Sequence, residues 1–537
     1  MPHPVPKPWL VQKYGGTSIG KLLTSITSTI IPSYLGTHNV AVVCSARSGT
    51  TKSAGTTSLL LEAIQLATSD EANTERLEEI ISEIENEHLG ALKTAVRTEA
   101  YMSPDVLRTE LEIRKDCEWV RHTLKDAWQR GEMENEISDR ILSIGEVLAC
   151  RIVAASLNAR GITSTVITLD TIVQEAHGHN IHLLTNTFKT SPTTFLSALA
   201  VPIASKLALL PPGTVPIITG FFGQMPNSLI SSVGRGYTDL CAALTASALS
   251  ATALQIWKEV DGIFTADPRK IKAARLLATV TSEEAAELTY YGSEVIHPLT
   301  MAQIDVAGIP LRLKNVMNPE GSGTMIFPSE NARSSEGSDG EVEKGRGIEK
   351  ALFMKKHGYY GPHSSRRRPT AVTSKSDICV LNIRSNGTSP PASFFARTAL
   401  LLEKYDVAID LISSSQQMLS LAICCPGSSP EGLRFEDAMQ ELGAVGSVAV
   451  MNGMSIVSVV GHKLRNMVGV AAEMFDALAK ARVNIYLISQ GASEISISFV
   501  VRAQDAVTAM EVVHANVMGL PLQREKENVF AKGPWLY

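Results

Sequence analysis

The chain has 537 residues, enough for two to four domains, and 44% hydrophobic against 19% charged residues is the balance of a globular protein with material for sizeable cores. A net charge of −5 gives no electrostatic footprint for nucleic acid. Seven cysteines, none in a C-x-x-C pair, argue against a disulfide framework or a zinc site and for buried reduced thiols. The proline-rich start, Met1 to Pro8, has no apolar signal core, and no stretch reaches transmembrane length without polar interruption, so no membrane association and a cytoplasmic location are expected.

In chain order, Val11-Gln12-Lys13-Tyr14-Gly15-Gly16-Thr17-Ser18 passes from an apolar strand to a lysine, paired glycines and two hydroxyl residues. Glycines let consecutive backbone N–H groups face an anion, and a helix starting there adds its dipole. The lysine precedes the glycines, so this is not a Walker A loop. Read as residues alone, it fits a phosphate site or a plain strand-to-helix turn equally well. Val40 to Cys44 is a continuous apolar run of the kind that forms a buried parallel strand, with Ser45 to Thr51 beyond its C-terminal end, where ligands gather. Residues 58–130 carry helical spacing. Glu146 then sits within the apolar Ile141–Ala149 stretch, where burying a carboxylate is costly without a partner; an exposed helix face is the alternative.

Gly161 to Asp170 reads as a strand. His177, His179 and His182 have no carboxylate or cysteine to complete a metal set, so a surface hairpin or loop is expected and no metal ligand is assigned. Val215 to Gly223 is a strand ending in glycines. Gly234-Arg235-Gly236-Tyr237-Thr238-Asp239 precedes an alanine-rich helix; Asp239 suits a first helical turn, and a bare helix cap would explain it as well. Leu254 to Arg269 contains Trp257-Lys258-Glu259-Val260-Asp261-Gly262-Ile263-Phe264-Thr265-Ala266-Asp267-Pro268-Arg269. Residues 329–370 have the mixed Ser, Gly, Glu, Lys and Arg composition of a flexible linker. Beyond it, two segments share a β-α-β-β order at matching spacing, an internal duplication.

These motifs together resemble the aspartate kinases of the amino-acid-kinase family, in particular the monofunctional fungal type. Lys13 to Ser18 is similar to K-F-G-G-T-S, residues 234–239 to G-R-G-G-S-D with Tyr237 for Gly and Thr238 for Ser, and residues 257–269 to W-[TK]-D-V-D-G-I-[YF]-T-x-D-P-R with Glu259 for Asp. The duplicated units resemble ACT domains.

The resemblance implies an α/β class: a three-layer αβα kinase domain with a mostly parallel sheet over 8–328, the linker 329–370, and two α+β ferredoxin-like ACT domains at 371–450 and 451–525. The second of these is open to being an insertion in the first, with 526–537 returning to it. It implies transfer of the ATP γ-phosphoryl group, with Mg2+, to the β-carboxylate of L-aspartate, on the route to threonine and methionine. Lys13 and Asp239 would be catalytic. Thr51, Glu146, Arg235 and Thr238 would bind aspartate, with Glu146 on the α-ammonium and Arg235 on a carboxylate. Gly15, Gly16, Thr17, Ser18, Lys258, Glu259, Phe264, Asp267 and Arg269 would hold the nucleotide. Asn466, Val468, Asn484 and Ile485 would hold an amino-acid effector, threonine by expectation, and the ACT units would join a homo-oligomer. The chain ends soon after the second unit, so no fused homoserine dehydrogenase is expected. Another amino-acid kinase, or an inactive sensor on the same fold, remain as alternatives.

Overall fold

A computed structural model describes residues 7–49, 55–69, 74–96, 103–226, 228–234, 236–292, 296–328, 368–387, 390–425, 430–462, 464–491 and 495–519. These form two compact units, one of 7–263 with 296–328, the other of 264–292 with 368–519.

In the first unit, apolar runs become strands: β1 (Trp9–Tyr14), β2 (Asn39–Cys44), β3 (Ser164–Ile167), β4 (Val215–Thr219), β5 (Ala253–Lys258), β6 (Leu311–Asn315) and β7 (Thr324–Phe327). Their order in the sheet is β3-β4-β2-β1-β5-β6-β7. Every pair from β3 to β6 is parallel, and only β7 runs antiparallel. The mostly parallel sheet expected from the sequence is therefore present. Parallel pairing demands helical crossovers that cover both faces. This is why β1, β2 and β4 are buried almost throughout. Three helices carry the site: α1 (Gly16–Ser25), α2 (Asn135–Asn158) and α3 (Tyr237–Ala248). By length and composition α2 is apolar enough to cross a membrane, but it is mostly buried inside this unit, with Ile141, Leu148, Ile152 and Leu157 in the core.

The helical spacing of residues 58–130 resolves into helices Thr56–Ala67, Thr74–Ala95 and Pro104–Arg130. Of the surface hairpin or loop expected at the histidine-rich stretch, the loop is present but short, spanning residues 178–180 with His179 in it: helix Ile172–His177 ends before it and helix Ile181–Thr190 follows. Asn180 caps the second helix, its side chain accepting the Leu183 N–H at 3.2 Å. A cap built from a turn-forming residue reads as a loop in sequence.

In the second unit, α4 (Ser282–Tyr291) opens with a capping box between Thr281 and Glu284. Then come β8 (Ala371–Ser385), α5 (Pro391–Lys404), β9 (Ile409–Ser414), β10 (Met418–Cys424) and α6 (Pro430–Leu442). The unit continues with β11 (Gly446–Val460), α7 (Val470–Lys480), β12 (Leu487–Ser489), β13 (Ser496–Arg502) and α8 (Ala506–Val517). The sheet order is β9-β10-β8-β11-β13-β12, and all the pairs are antiparallel. The two β-α-β-β repeats thus share one sheet, joined by the pairing of β8 with β11. The register shifts between Met451 and Ile456. Gly453 (φ +71) and Asp377 (φ +58) adopt left-handed backbone beside that shift, as bulged strands do.

Candidate active site

β1 carries Lys13 as its penultimate residue, between Val43 of β2 and Ile256 of β5. Tyr14 follows, stacked at 6.0 Å on Trp257, and its hydroxyl donates to Gln12 Oε1 at 3.1 Å. The hydroxyl that a phenylalanine would lack is thereby satisfied. The chain then turns at Gly15 into α1. The first turn of that helix lies against the segment after β2, with the Ser48 N–H donating to Gly16 O at 3.0 Å. A Cβ on Gly16 would meet Ala46 O at 2.2 Å, and one on Gly20 would meet Ser48 O at 1.9 Å. Nothing lies within 4 Å of a Cβ on Gly15, so its side is open.

Lys13 Nζ reaches Asp239 Oδ1 at 2.6 Å, and Lys258 Nζ, from the end of β5, stands 3.8 Å from Oδ2. Asp239 is in the first turn of α3 and only 5% exposed. Burial alone pushes its carboxyl up, but Lys13, Lys258 and His297 together outweigh that and hold it below its ordinary value. Two ammonium groups thus converge on one carboxylate at the head of α1. Beside them Ser18 Oγ donates to Glu259 Oε1 at 2.7 Å, tying α1 to the segment after β5.

Glu146 is fully buried in the middle of α2. Its Oε2 accepts the Phe221 N–H at 2.7 Å and its Oε1 the Thr238 hydroxyl at 3.0 Å. Burial raises this carboxyl to about 7, against the opposing pull of those hydrogen bonds. Gly220 permits the approach: a Cβ there would sit 2.6 Å from Glu146 Oε1 and 2.7 Å from Thr238 Cγ2. The exposed-face alternative for Glu146 is excluded.

The chain matches the amino acid kinase family over residues 8–315 and the ACT domain over 457–517. It is 40% identical to the aspartokinase of Schizosaccharomyces pombe, covering 99% of this chain and 97% of that protein. It is also 40% identical to the aspartokinase of Saccharomyces cerevisiae, over 95% and 93% of the two chains. The chain belongs to the aspartokinase family. The fold agrees with Escherichia coli aspartokinase III in complex with aspartate and ADP, at a TM-score of 0.65 and 24% identity over 95% of this chain and 99% of that one. As a member of an amino-acid-kinase family it is a kinase that uses ATP.

Of the residues the aspartokinase resemblance singled out, the first unit gathers Lys13, Gly15, Gly16, Thr17, Ser18, Glu146, Thr238, Asp239, Lys258 and Glu259 around the C-terminal ends of β1 and β5 and the start of α3. Thr51 and Arg235 lie outside the described residues. Phe264, Asp267 and Arg269 belong to the second unit, where Arg269 Nε pairs with Asp267 Oδ1 at 3.1 Å and Phe264 bridges Leu276. Asn466 and Val468 precede α7, whereas Asn484 and Ile485 follow it, so the two pairs stand at opposite ends of that helix. At 1.5 Å per residue, its eleven residues separate them by about 16 Å. Asn484 is exposed and lies before β12, which begins only at Leu487. Among the described residues no group of three His, Cys, Asp or Glu side chains is placed to hold a metal.

Sequence reasoning passed over Gly220 as a site residue; the signal was a glycine directly after a buried strand.

Proposed function

We propose that this chain transfers the γ-phosphoryl group of ATP to the β-carboxylate of L-aspartate, giving 4-phospho-L-aspartate and ADP. The observation that carries this reading is the pair of clusters at the start of α3. Lys13 and Lys258 converge on Asp239, and the next residue back, Thr238, turns to the buried carboxylate of Glu146. One cluster suits a transferring phosphoryl group and the other an ammonium group.

Phosphoryl transfer is governed by positioning and charge. The β-carboxylate of aspartate is ionised at neutral pH and needs no strong base to attack. Its oxygen forms the new bond to phosphorus as the bond to the β-phosphate oxygen breaks, and ADP leaves. Lys13 offsets charge on the γ-phosphoryl oxygens, Lys258 adds to that field, and Asp239 fixes both ammonium groups. The N-terminus of α1, with Gly15, Gly16, Thr17 and Ser18, faces phosphate through backbone N–H groups. Glu146 takes the α-ammonium, Thr238 supports Glu146, and Thr51 and Arg235 complete the substrate contacts. Glu259, Phe264, Asp267 and Arg269 are assigned to the nucleotide. Asp239 is already engaged by two lysines, so Mg2+ accompanying ATP would take its ligands from phosphate oxygens and water.

The same reading makes the reaction the first step toward threonine and methionine in the cytosol, with a kinase domain at 8–328, ACT domains at 371–450 and 451–525, and a homo-oligomer formed through the latter. Threonine is the proposed inhibitor, with Asn484 the principal contact and Asn466, Val468 and Ile485 secondary. A coupled ADP-release assay tests the activity: turnover with aspartate and none with glutamate is expected. Turnover with glutamate alone, or with neither, overturns the reading.

A further inference from the structure

Gly16 and Gly20 are four residues apart on α1 and so share one face of it. Backbone of the segment after β2 fills that face. Ala46 O and Ser48 O occupy the space that Cβ atoms on the two glycines would need, and the Ser48 N–H donates to Gly16 O at 3.0 Å. Arg47, between them, closes the contact. Its Nη2 donates to Gly20 O at 3.1 Å, and its Nη1 donates to Oε1 of Glu87, on helix Thr74–Ala95, at 2.8 Å. Its backbone carbonyl accepts the Thr56 N–H at 3.0 Å, where helix Thr56–Ala67 begins. The Gly20 bond falls two residues before Leu22, where α1 leaves helical geometry (φ −124, ψ 19), and a side chain set into the helical ladder is one cause of such a kink. The Arg47 side chain is mostly buried, and its Nε has no hydrogen-bond partner among the described residues. A buried unpaired donor is costly, and an apolar side chain would pack these helices without that cost, so stability alone does not account for an arginine here.

We propose that Arg47 is a positioning residue for phosphoryl transfer: by tying Gly20 of α1 to Glu87, it fixes the helix that faces phosphate against the segment that leads to Thr51, and so sets the alignment of the two substrates. This rests on the reading above, in which the N-terminus of α1 faces the phosphates of ATP and Thr51 contacts aspartate. The two elements enter the site from neighbouring strands, β1 and β2, paired in parallel from Trp9 and Asn39 to Tyr14 and Cys44. One further backbone bond, from the Ser45 N–H to Tyr14 O at 3.1 Å, continues that pairing. Past it, the Ser48 N–H on Gly16 O and the Arg47 guanidinium on Gly20 O join the two chains. Transfer between bound groups is sensitive to displacements of about 1 Å. A guanidinium suits the task because its planar fork holds two acceptors in fixed directions, which an ammonium group does not.

Arg47→Met keeps an apolar stem and removes both donors. In the full-length enzyme kcat is expected to fall about 100-fold, the cost of a misplacement of about 1 Å. The KM for aspartate and the KM for ATP should change far less, because Arg47 is assigned to neither substrate. Arg47→Lys, which can reach one acceptor but not hold both, should lie between wild type and Arg47→Met, and it remains informative if Arg47→Met does not fold, as thermal unfolding will show. Glu87→Ala should lower kcat in the same direction, and Glu87→Gln, which keeps an acceptor, should restore it. Arg47→Met/Glu87→Ala should be no slower than Arg47→Met, since groups acting as a unit are not additive. Multiplied effects in the double variant would mean that Glu87 does not act through Arg47, and they overturn the proposal. An Arg47→Met enzyme with lowered thermal stability and wild-type kcat would mean a packing role only, and a rise confined to one KM would place Arg47 on that substrate; either result overturns it too. A wild-type enzyme that does not phosphorylate aspartate overturns the reading of the site, and the proposal with it, whereas a wild type that does so beside an Arg47→Met enzyme of equal kcat overturns the role of Arg47 alone.

Discussion

At Asp239 burial and charge oppose each other directly. The carboxylate is 5% exposed, and it stays ionised because Lys13 and Lys258 face it. Removing Lys13 therefore has two separable consequences. Lys13→Met is expected to lower kcat by about 10²–10³-fold, as losing one preorganised donor typically does. It should also destabilise the fold by up to about 3 kcal/mol, because a buried charge loses its nearest partner while Lys258 remains. Lys13→Met/Asp239→Asn should recover much of the stability and none of the activity. Thermal unfolding beside steady-state kinetics separates the two, and a double variant no more stable than Lys13→Met would refute the buried-charge argument. Glu146 behaves in the opposite sense. Its folded carboxyl titrates near 7, above its unfolded value, so keeping it ionised costs folded-state stability progressively as pH rises from about 4 to about 7. The ionised form is the one that binds an ammonium, so kcat/KM for aspartate should fall as pH drops below about 7. Glu146→Gln should abolish that limb along with most of the affinity; a limb that survives in Glu146→Gln would assign it to another group. Lys13, Glu146 and Asp239 were legible in the sequence because each is a charge set in or beside an apolar run. Gly220 was not, because the close approach that matters, to Glu146, crosses 74 residues of chain, a separation no local pattern encodes.

At the scale of elements, the glycines at the head of α1 do different work, although the sequence presents them as one cluster. Gly20 has Ser48 O where a Cβ would be, and the contact is with backbone. Gly20→Ala is expected to destabilise by about 1–3 kcal/mol, the usual size of an overpacking cost, despite the better helix propensity of alanine. Gly15 has ordinary extended backbone, φ −74, and open space. Gly15→Ala should leave thermal unfolding unchanged and raise the KM for ATP if its N–H faces phosphate. Equal destabilisation by both substitutions would contradict the geometry. Elements with strong periodicity were legible: the buried parallel strands, the long helices after Thr56, and the repeated β-α-β-β order. The joining of both repeats into one sheet was not. Gly446–Val460 reads as two pieces because Asn452-Gly453 looks like a turn, and a bulge with a left-handed glycine carries the strand through it instead. The strand after α7 begins only at Leu487, since Val483 closes α7 by donating its N–H to Leu478 O.

For the whole molecule, the second unit, which carries the ACT domain, is proposed to regulate the kinase through a bound amino acid. The proposed effector residue Asn484 is exposed just beyond α7, and a small amino acid needs such amide and backbone partners for its head groups. Asn466 and Val468 precede α7 and Asn484 follows it, so Asn484 is tested alone. Inhibition at a site distinct from the catalytic residues is a coupling free energy, typically about 1–3 kcal/mol, and it is reciprocal for binding. Threonine should weaken substrate binding by about 5–150-fold at saturation, and saturating substrate should weaken threonine binding by the same factor. Asn484→Ala should leave uninhibited kcat unchanged and shift the threonine inhibition curve to higher concentration, with the substrate KM in the absence of threonine unaltered. Titration of threonine, lysine and methionine against the wild-type and Asn484→Ala enzymes, with binding measured in the presence and absence of aspartate, decides the matter. Inhibition of both proteins at the same threonine concentration would remove Asn484 from the site. Inhibition of the wild type by lysine or methionine and not by threonine would replace the effector while leaving the coupling argument in force.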